Sequence, residues 1–223
     1  MIVKADFSTE PAETLADLVK RLGDVPLDRI LLKPAPGTAT EEDLIAALEA
    51  PRKLICELVD GVLVEKAMGT RESMLAAVII QLLLNFVEKD DLGVVLGGDG
   101  PLRFRLGLVL VPDVSYISWD RIPGGEFPDD PIAKVIPNLA IEVLSKSNTP
   151  KEIERKLKEY FKAGVELAWV IDPKKETAEA YTSPAKKRPV GKDGVLDGSA
   201  VLPGFKLSLK ELFARGKRRR GQR

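Results

Sequence analysis

Residues 138–173 hold this chain to a narrow set of folds. Residues 138–144 read NLAIEVL, a short apolar run rich in β-branched residues with one carboxylate, Glu142, at its middle. Thr149-Pro150-Lys151-Glu152 then has the form of a capping box with proline at the first helical position. The helix this opens continues to Ala163 and stops at Gly164. A second apolar run, LAWVI at 167–171, is closed by Asp172-Pro173. Strand, helix and strand within about 35 residues make a βαβ-type unit. Its strand direction is open at this level.

The flanking segments are read the same way. Leu15, Leu18, Val19 and Leu22 recur at helical spacing and end near Gly23, and Thr40 N-caps a helix carrying Leu44, Ile45 and Leu48. Asp60-Gly61 between the runs 54–59 and 62–64 predicts a hairpin. Residues 71–88 form the longest helix, apolar over most of its circumference and so expected to be buried on more than one side. Strands are expected at 94–96, 102–106, 108–111 and 114–117, followed by a long Pro-, Gly- and Asp-rich connection over 119–135. Ser208, with Glu211 three residues on, opens a last short helix. The sum is a mixed α/β protein.

Composition removes several chemistries. The 223 residues contain no histidine, which excludes a Ser-His-Asp triad, a histidine zinc site and an imidazole base. One cysteine, Cys56, can close no intrachain disulfide, which suits a reducing compartment. No apolar stretch is expected to reach the roughly 18–20 residues of a membrane span, and the first ten residues lack a signal core. The expectation is a cytoplasmic protein with no membrane partner. Charge is unevenly spread over 34 basic and 34 acidic residues. Six of the basic ones lie in 215–223, so 28 remain against 34 acids and the body carries −6. Such a tail is either a solvated end or a non-specific phosphate contact.

Three residues break the local pattern. Asp113 follows Pro112 at the head of the strand VPDVSYI. Glu142 lies inside LAIEVL, where a lone carboxylate covered on both faces costs several kcal/mol unless it is paired, protonated or bound to a cation. Two acids on neighbouring strands, with the Val143 carbonyl as a third donor, suit a hard cation such as Mg²⁺ or Mn²⁺. Lys156 is the third. On a helical wheel it falls at the edge of the sector formed by Ile153, Leu157, Tyr160, Phe161 and Gly164, roughly 80° from its centre. From there its ammonium can reach the carboxylates and steady charge on a phosphate. Each has a plainer reading: Asp113 ends a strand, Glu142 faces solvent or pairs with Arg103 or Arg105, and Lys156 is one lysine of a charged helix.

Taken together, Pro112-Asp113, Ile141-Glu142-Val143, Ser145, the capped helix with Lys156 and Tyr160, AGV at 163–165 and AWVIDP at 168–173 resemble the Uma-type restriction-endonuclease-like proteins of the PD-(D/E)XK nuclease superfamily. ELVDGVLVEK at 57–66 resembles that family's opening hairpin, and LPGF at 202–205 its closing segment. The resemblance covers about residues 54–213. It implies a restriction-endonuclease-like core, a central mixed β-sheet flanked by helices. It divides the chain into an N-terminal helical extension (1–50), a nuclease domain (51–214) and a basic tail (215–223).

It also implies an Mg²⁺- or Mn²⁺-dependent endonuclease acting on DNA, with Asp113, Glu142 and Val143 at the metal and Lys156 assisting hydrolysis. A further acid on the first core helix is common in the superfamily; Glu72 is the first candidate and Glu57 the second. Two departures stand out: Leu144 occupies the position two residues after the glutamate where the superfamily's lysine usually lies, and Arg71-Glu72-Ser73 stands where many relatives carry a histidine. The alternative is a non-catalytic nucleic-acid-binding or regulatory protein that keeps the fold. Cleavage of both strands would suit a two-fold homodimer, because antiparallel strands present symmetric targets.

Overall fold

The computed structural model describes residues 14–217 apart from 52 and 68. Two short helices, α1 (Leu15–Arg21) and α2 (Glu41–Glu49), precede a hairpin of β1 (Cys56–Val59) and β2 (Val62–Glu65). The hairpin turn is Asp60-Gly61, both at positive φ (48° and 79°), the backbone that a two-residue turn of this type requires. The long helix α3 (Thr70–Val87) leads to β3 (Gly93–Gly97), β4 (Leu102–Arg105), β5 (Leu108–Leu110) and β6 (Val114–Ser118). Then come β7 (Leu139–Val143), α4 (Pro150–Ala163) and β8 (Leu167–Asp172). The chain closes with β9 (Thr177–Ser183), β10 (Lys186–Val190), β11 (Val195–Asp197), β12 (Lys206–Ser208) and α5 (Leu209–Gly216). The basic residues beyond 217 lie outside the described residues.

Six strands form the central sheet in the order β10-β9-β8-β7-β6-β3. β7 and β8 are parallel, from Leu139↔Leu167 to Val143↔Ile171, with α4 as their crossover, so the βαβ reading is observed. The other neighbours are antiparallel, which makes the sheet mixed. A separate antiparallel sheet has the order β2-β1-β5-β4.

Strand alternation sorts the core into layers. Leu139, Ile141 and Val143 of β7 and Leu167, Trp169 and Ile171 of β8 point to one face, where α3 and α5 pack. Ala140 of β7, and Ala168 and Val170 of β8, point to the other face and meet the side of the molecule that holds α4. There Ile153 and Leu157 pack on the central sheet. Tyr160 turns to the smaller sheet, its ring 5.0 Å from that of Phe104. The helix α4 is therefore wedged between two sheets.

Two expectations are corrected. The helix α3 is fully buried along one stripe only, Leu75, Ile79, Leu83 and Val87, which is every fourth residue. Ala76, Val78, Ile80, Leu82 and Phe86 are half-buried shoulders of that stripe, and Met74, Ala77, Gln81 and Asn85 face solvent. The same 18 residues have a mean hydropathy of 1.4, so by length and composition alone a stretch of membrane-span size does exist. Second, the capping box of α4 is only half made. Thr149 Oγ1 accepts from the Glu152 N–H at 3.0 Å, but the Glu152 side chain does not return the bond. It is fully buried and gripped by Arg29, at 2.7 and 3.0 Å, with Asn148 Nδ2 at 3.1 Å.

That ion pair holds the segment before residue 51 against the domain. Thr149 Oγ1 also donates to the Gly23 carbonyl at 2.5 Å, and Ile30 bridges to Val64. Gly23 has φ +87°, and a Cβ there would stand 2.6 Å from the Glu152 nitrogen, so only glycine fits.

Replacing Ile79 by alanine should cost about 2–5 kcal/mol in urea unfolding, because a fully buried site on the sheet is emptied. Gln81→Ala on the exposed side of the same helix should change stability by no more than about 0.5 kcal/mol.

Candidate active site

Glu142 sits one step before the end of β7, and its side chain faces away from α3. Asp113 immediately precedes β6. Continuing the pairing Val114↔Ile141 by one residue sets Asp113 directly across from Glu142, so the two acids share a face. Asp113 Oδ2 accepts the Val143 N–H at 2.7 Å. In an extended strand the carbonyl of a residue points to the same side as its N–H, so the Val143 carbonyl is turned toward Asp113 rather than toward β8.

Two ammonium groups stand at these acids. Lys156 Nζ lies 2.9 Å from Glu142 Oε1 and 2.8 Å from Glu57 Oε1. Tyr160, one turn further along α4, donates its hydroxyl to the same Glu142 oxygen. Glu57 belongs to β1 and also accepts the Val111 N–H at 3.1 Å. Lys66, just past β2, places Nζ 2.8 Å from Asp113 Oδ1 and 2.7 Å from the Val111 carbonyl. The cluster thus joins five places in the chain: β1, the end of β2, the link between β5 and β6, β7 and α4.

The plainer readings of Lys156 and Glu142 do not describe this arrangement. Lys156 is 2% exposed, well inside the edge position the wheel suggested. Glu142 is 5% exposed. Arg103 pairs with Glu41, and Arg105 with Asp60 and Glu159, so neither reaches Glu142. Glu57 is in the cluster. Glu72 stands at the start of α3 with its carboxylate against Gly69 and shares a cleft with Asp113. Lys66 and the hydroxyl role of Tyr160 were missed. A signal existed for Glu57, since it interrupts the apolar run LICELV much as Glu142 interrupts LAIEVL. For Lys66, beside Glu65 at a strand end, the sequence carries no such signal.

Electrostatics follow from burial. Removal from water pushes the Glu142 carboxyl above its ordinary value, against the pull of Lys156, and Asp113 and Glu57 add to the rise. Burial opposes the charge on Lys156 too, but Glu142 and Glu57 outweigh it and hold the ammonium above the usual lysine value. The Tyr160 hydroxyl is raised well above its ordinary value, first by burial and then by Glu142, and stays protonated as a donor. Glu152, a turn before Lys156, is also desolvated, yet the hydrogen bonds from Arg29 hold it below the carboxylate range.

The donor set bears on the cation that the sequence reading expects. Among the described residues, no three His, Cys, Asp or Glu side chains stand at the spacing of a closed metal site. Two carboxylates with a backbone carbonyl and water are, however, the smaller set that Mg²⁺ takes. Three carboxylates (Glu57, Asp113, Glu142) face two ammoniums here, which leaves the buried cluster one positive charge short. A cation fits that deficit. Asp113 is the cluster's most open member, its side chain 14% exposed, against 6% or less for Glu57, Lys66, Glu142 and Lys156. It lines a cleft of about 330 Å³ together with Glu72, Gly98 and Asp99. A second cleft of about 930 Å³ shares Glu72 and is rimmed by Arg71, Lys146 and Lys174.

Residues 42–210 match the Uma2 family, described as "Putative restriction endonuclease". The chain belongs to the Uma2 family. A solved structure titled as a putative nuclease belonging to DUF820, from Anabaena variabilis ATCC 29413, superposes with a TM-score of 0.64. It is 21% identical, and the match covers 72% of this chain and 90% of that one. The likeness shows a shared fold. Among curated proteins no match is found. Family membership agrees with the mixed α/β architecture and with the resemblance drawn from Asp113, Glu142 and the helix of Lys156.

Lys156→Met should leave Glu142 and Glu57 facing one another without a counter-charge and cost about 3–5 kcal/mol of stability at pH 7. Because the Glu142 carboxyl is raised, its protonated form is favoured in the fold; the penalty is absent below the ordinary carboxylate value and grows as pH rises through the raised one. Urea unfolding at pH 5 and pH 7 should therefore show the smaller loss at pH 5. A loss of equal size at both would mean that charge is not its cause.

Proposed function

We propose that this Uma2-family protein is a metal-dependent endonuclease that hydrolyses phosphodiester bonds in DNA. The observation that carries the proposal is the pairing of Asp113 and Glu142 across β6 and β7, with Lys156 bonded to the second acid, at the side of a cleft. Asp113, Glu142 and the Val143 carbonyl would hold Mg²⁺ or Mn²⁺. Such an ion, when bound, neutralises phosphate charge and acidifies a bound water.

The remaining work falls to the chain's own side chains. Tyr160 and Lys156 fix one oxygen of Glu142 and so aim the other away from α4. Lys156 gives N–H groups to Glu142 and Glu57 and so steadies both carboxylates beside the proposed cation. In hydrolysis a water oxygen bonds to phosphorus, the bond to the leaving sugar oxygen breaks, and that oxygen takes up a proton. Preorganised cations at the developing charge lower the barrier. The basic rim of Arg71, Lys146 and Lys174 suits the phosphates on either side of the scissile one.

One feature supports the non-catalytic alternative: both acids are already ion-paired within the protein. The two readings separate in a single experiment. Purified protein should nick plasmid DNA with Mg²⁺ or Mn²⁺ and not with EDTA. Glu142→Gln and Asp113→Asn, each checked for folding by circular dichroism, should lower the rate by at least about a hundredfold. Full cleavage by folded Glu142→Gln protein would sink the assignment. Failure of the native protein to cleave with either ion would favour the non-catalytic reading.

A further inference from the structure

Lys66 is the member of the cluster for which the proposed hydrolysis has no use. An ammonium carries three N–H donors and, out of water, needs three acceptors. The Lys66 side chain is 3% exposed, and its Nζ meets Asp113 Oδ1 at 2.8 Å, the Val111 carbonyl at 2.7 Å and the Gly98 carbonyl at 3.3 Å. Gly98 belongs to this seat, since a Cβ there would lie 3.1 Å from Nζ. One carboxylate and two backbone carbonyls converging on a point are oxygen ligands of the kind a hard cation takes, and here the cation is tethered to the chain.

We propose that Lys66 holds Asp113 in the metal-free protein and competes with a divalent cation for its carboxylate, so that loading the site requires the Lys66 ammonium to leave Asp113. The inference rests on reading Asp113 and Glu142 as the metal ligands. Asp113 cannot simply turn aside to serve both cations, because Oδ2 is tied to the Val143 N–H while Oδ1 faces Lys66. A second cation arriving at the same carboxylate is repelled by the first at a few ångströms in a site screened from water. Lys156 differs in kind. Two carboxylates hold it, and it is bonded to Glu142 and Glu57, away from the Asp113 oxygens. Asp113 and Gly98, two of the three partners of Lys66, line the 330 Å³ cleft, into which a displaced ammonium would turn.

Lys66→Met keeps the length of the stem and removes the charge. Titration calorimetry with Mn²⁺ should give a dissociation constant lower by roughly tenfold or more for Lys66→Met than for the native protein. A second measurement needs no variant. In protein labelled with ¹⁵N-lysine, the two buried ammoniums should both give protected signals, and Mg²⁺ should shift and deprotect Lys66 while Lys156 keeps its protection. Equal or weaker Mn²⁺ binding by folded Lys66→Met protein, or a Lys66 signal unmoved at saturating Mg²⁺, overturns the inference and leaves the cation site standing. Absence of binding to either protein removes the site itself, and the inference with it.

Discussion

The burial of five charged side chains at one point, Glu57, Lys66, Asp113, Glu142 and Lys156, is the constraint to which much of this architecture answers. Lys156 is the hinge of the arrangement, because it pairs with Glu142 of the central sheet and with Glu57 of the smaller one. A buried ion pair of this kind is weak evidence for stability, since apolar residues of the same volume often do as well. Its effect lies in what it forbids. Neither sheet can slide past α4 without stranding a charge in a dry interior. The relative placement of the two sheets is thereby fixed at the place where the chemistry is proposed.

A second buried pair sets the position of α4 along its own axis. Glu152 lies one turn before Lys156 on the helix and is held in two places by Arg29, whose Nε also reaches the Glu65 carbonyl at 2.8 Å. Lys66 follows Glu65 directly. The same guanidinium therefore anchors the helix that carries one ammonium and the strand end that carries the other. Through Arg29, residues before 51 are tied to the elements that carry the site. The pair also explains why Glu152 abandons its capping role: a backbone N–H at a helix start can find water, whereas a buried guanidinium cannot.

What could be read from the sequence, and what could not, divides by range. The turn at Asp60-Gly61, the proline and glycine that bracket α4, and the strands around it depend on neighbours in sequence, and all were legible. Glu142 was legible because a carboxylate between β-branched residues contradicts its surroundings. The burial of Lys156 was underestimated because a helical wheel locates one face, and α4 has two, one for each sheet. Glu57 joins Lys156 in the buried cluster, whereas Glu72 reaches the site only as a wall of the cleft that Asp113 lines. Lys66 depended on a contact 47 positions away, with no local irregularity to betray it.

Charge balance links the site to the reaction proposed for it. Three carboxylates and two ammoniums leave the cluster at −1, and burial makes that deficit felt as a raised Glu142. Exchange of the Lys66 ammonium for one divalent cation brings it to zero. A third cation in the same volume would undo the balance, which is why the ammonium nearest the cleft, rather than the one shared by Glu57 and Glu142, is the one that has to yield.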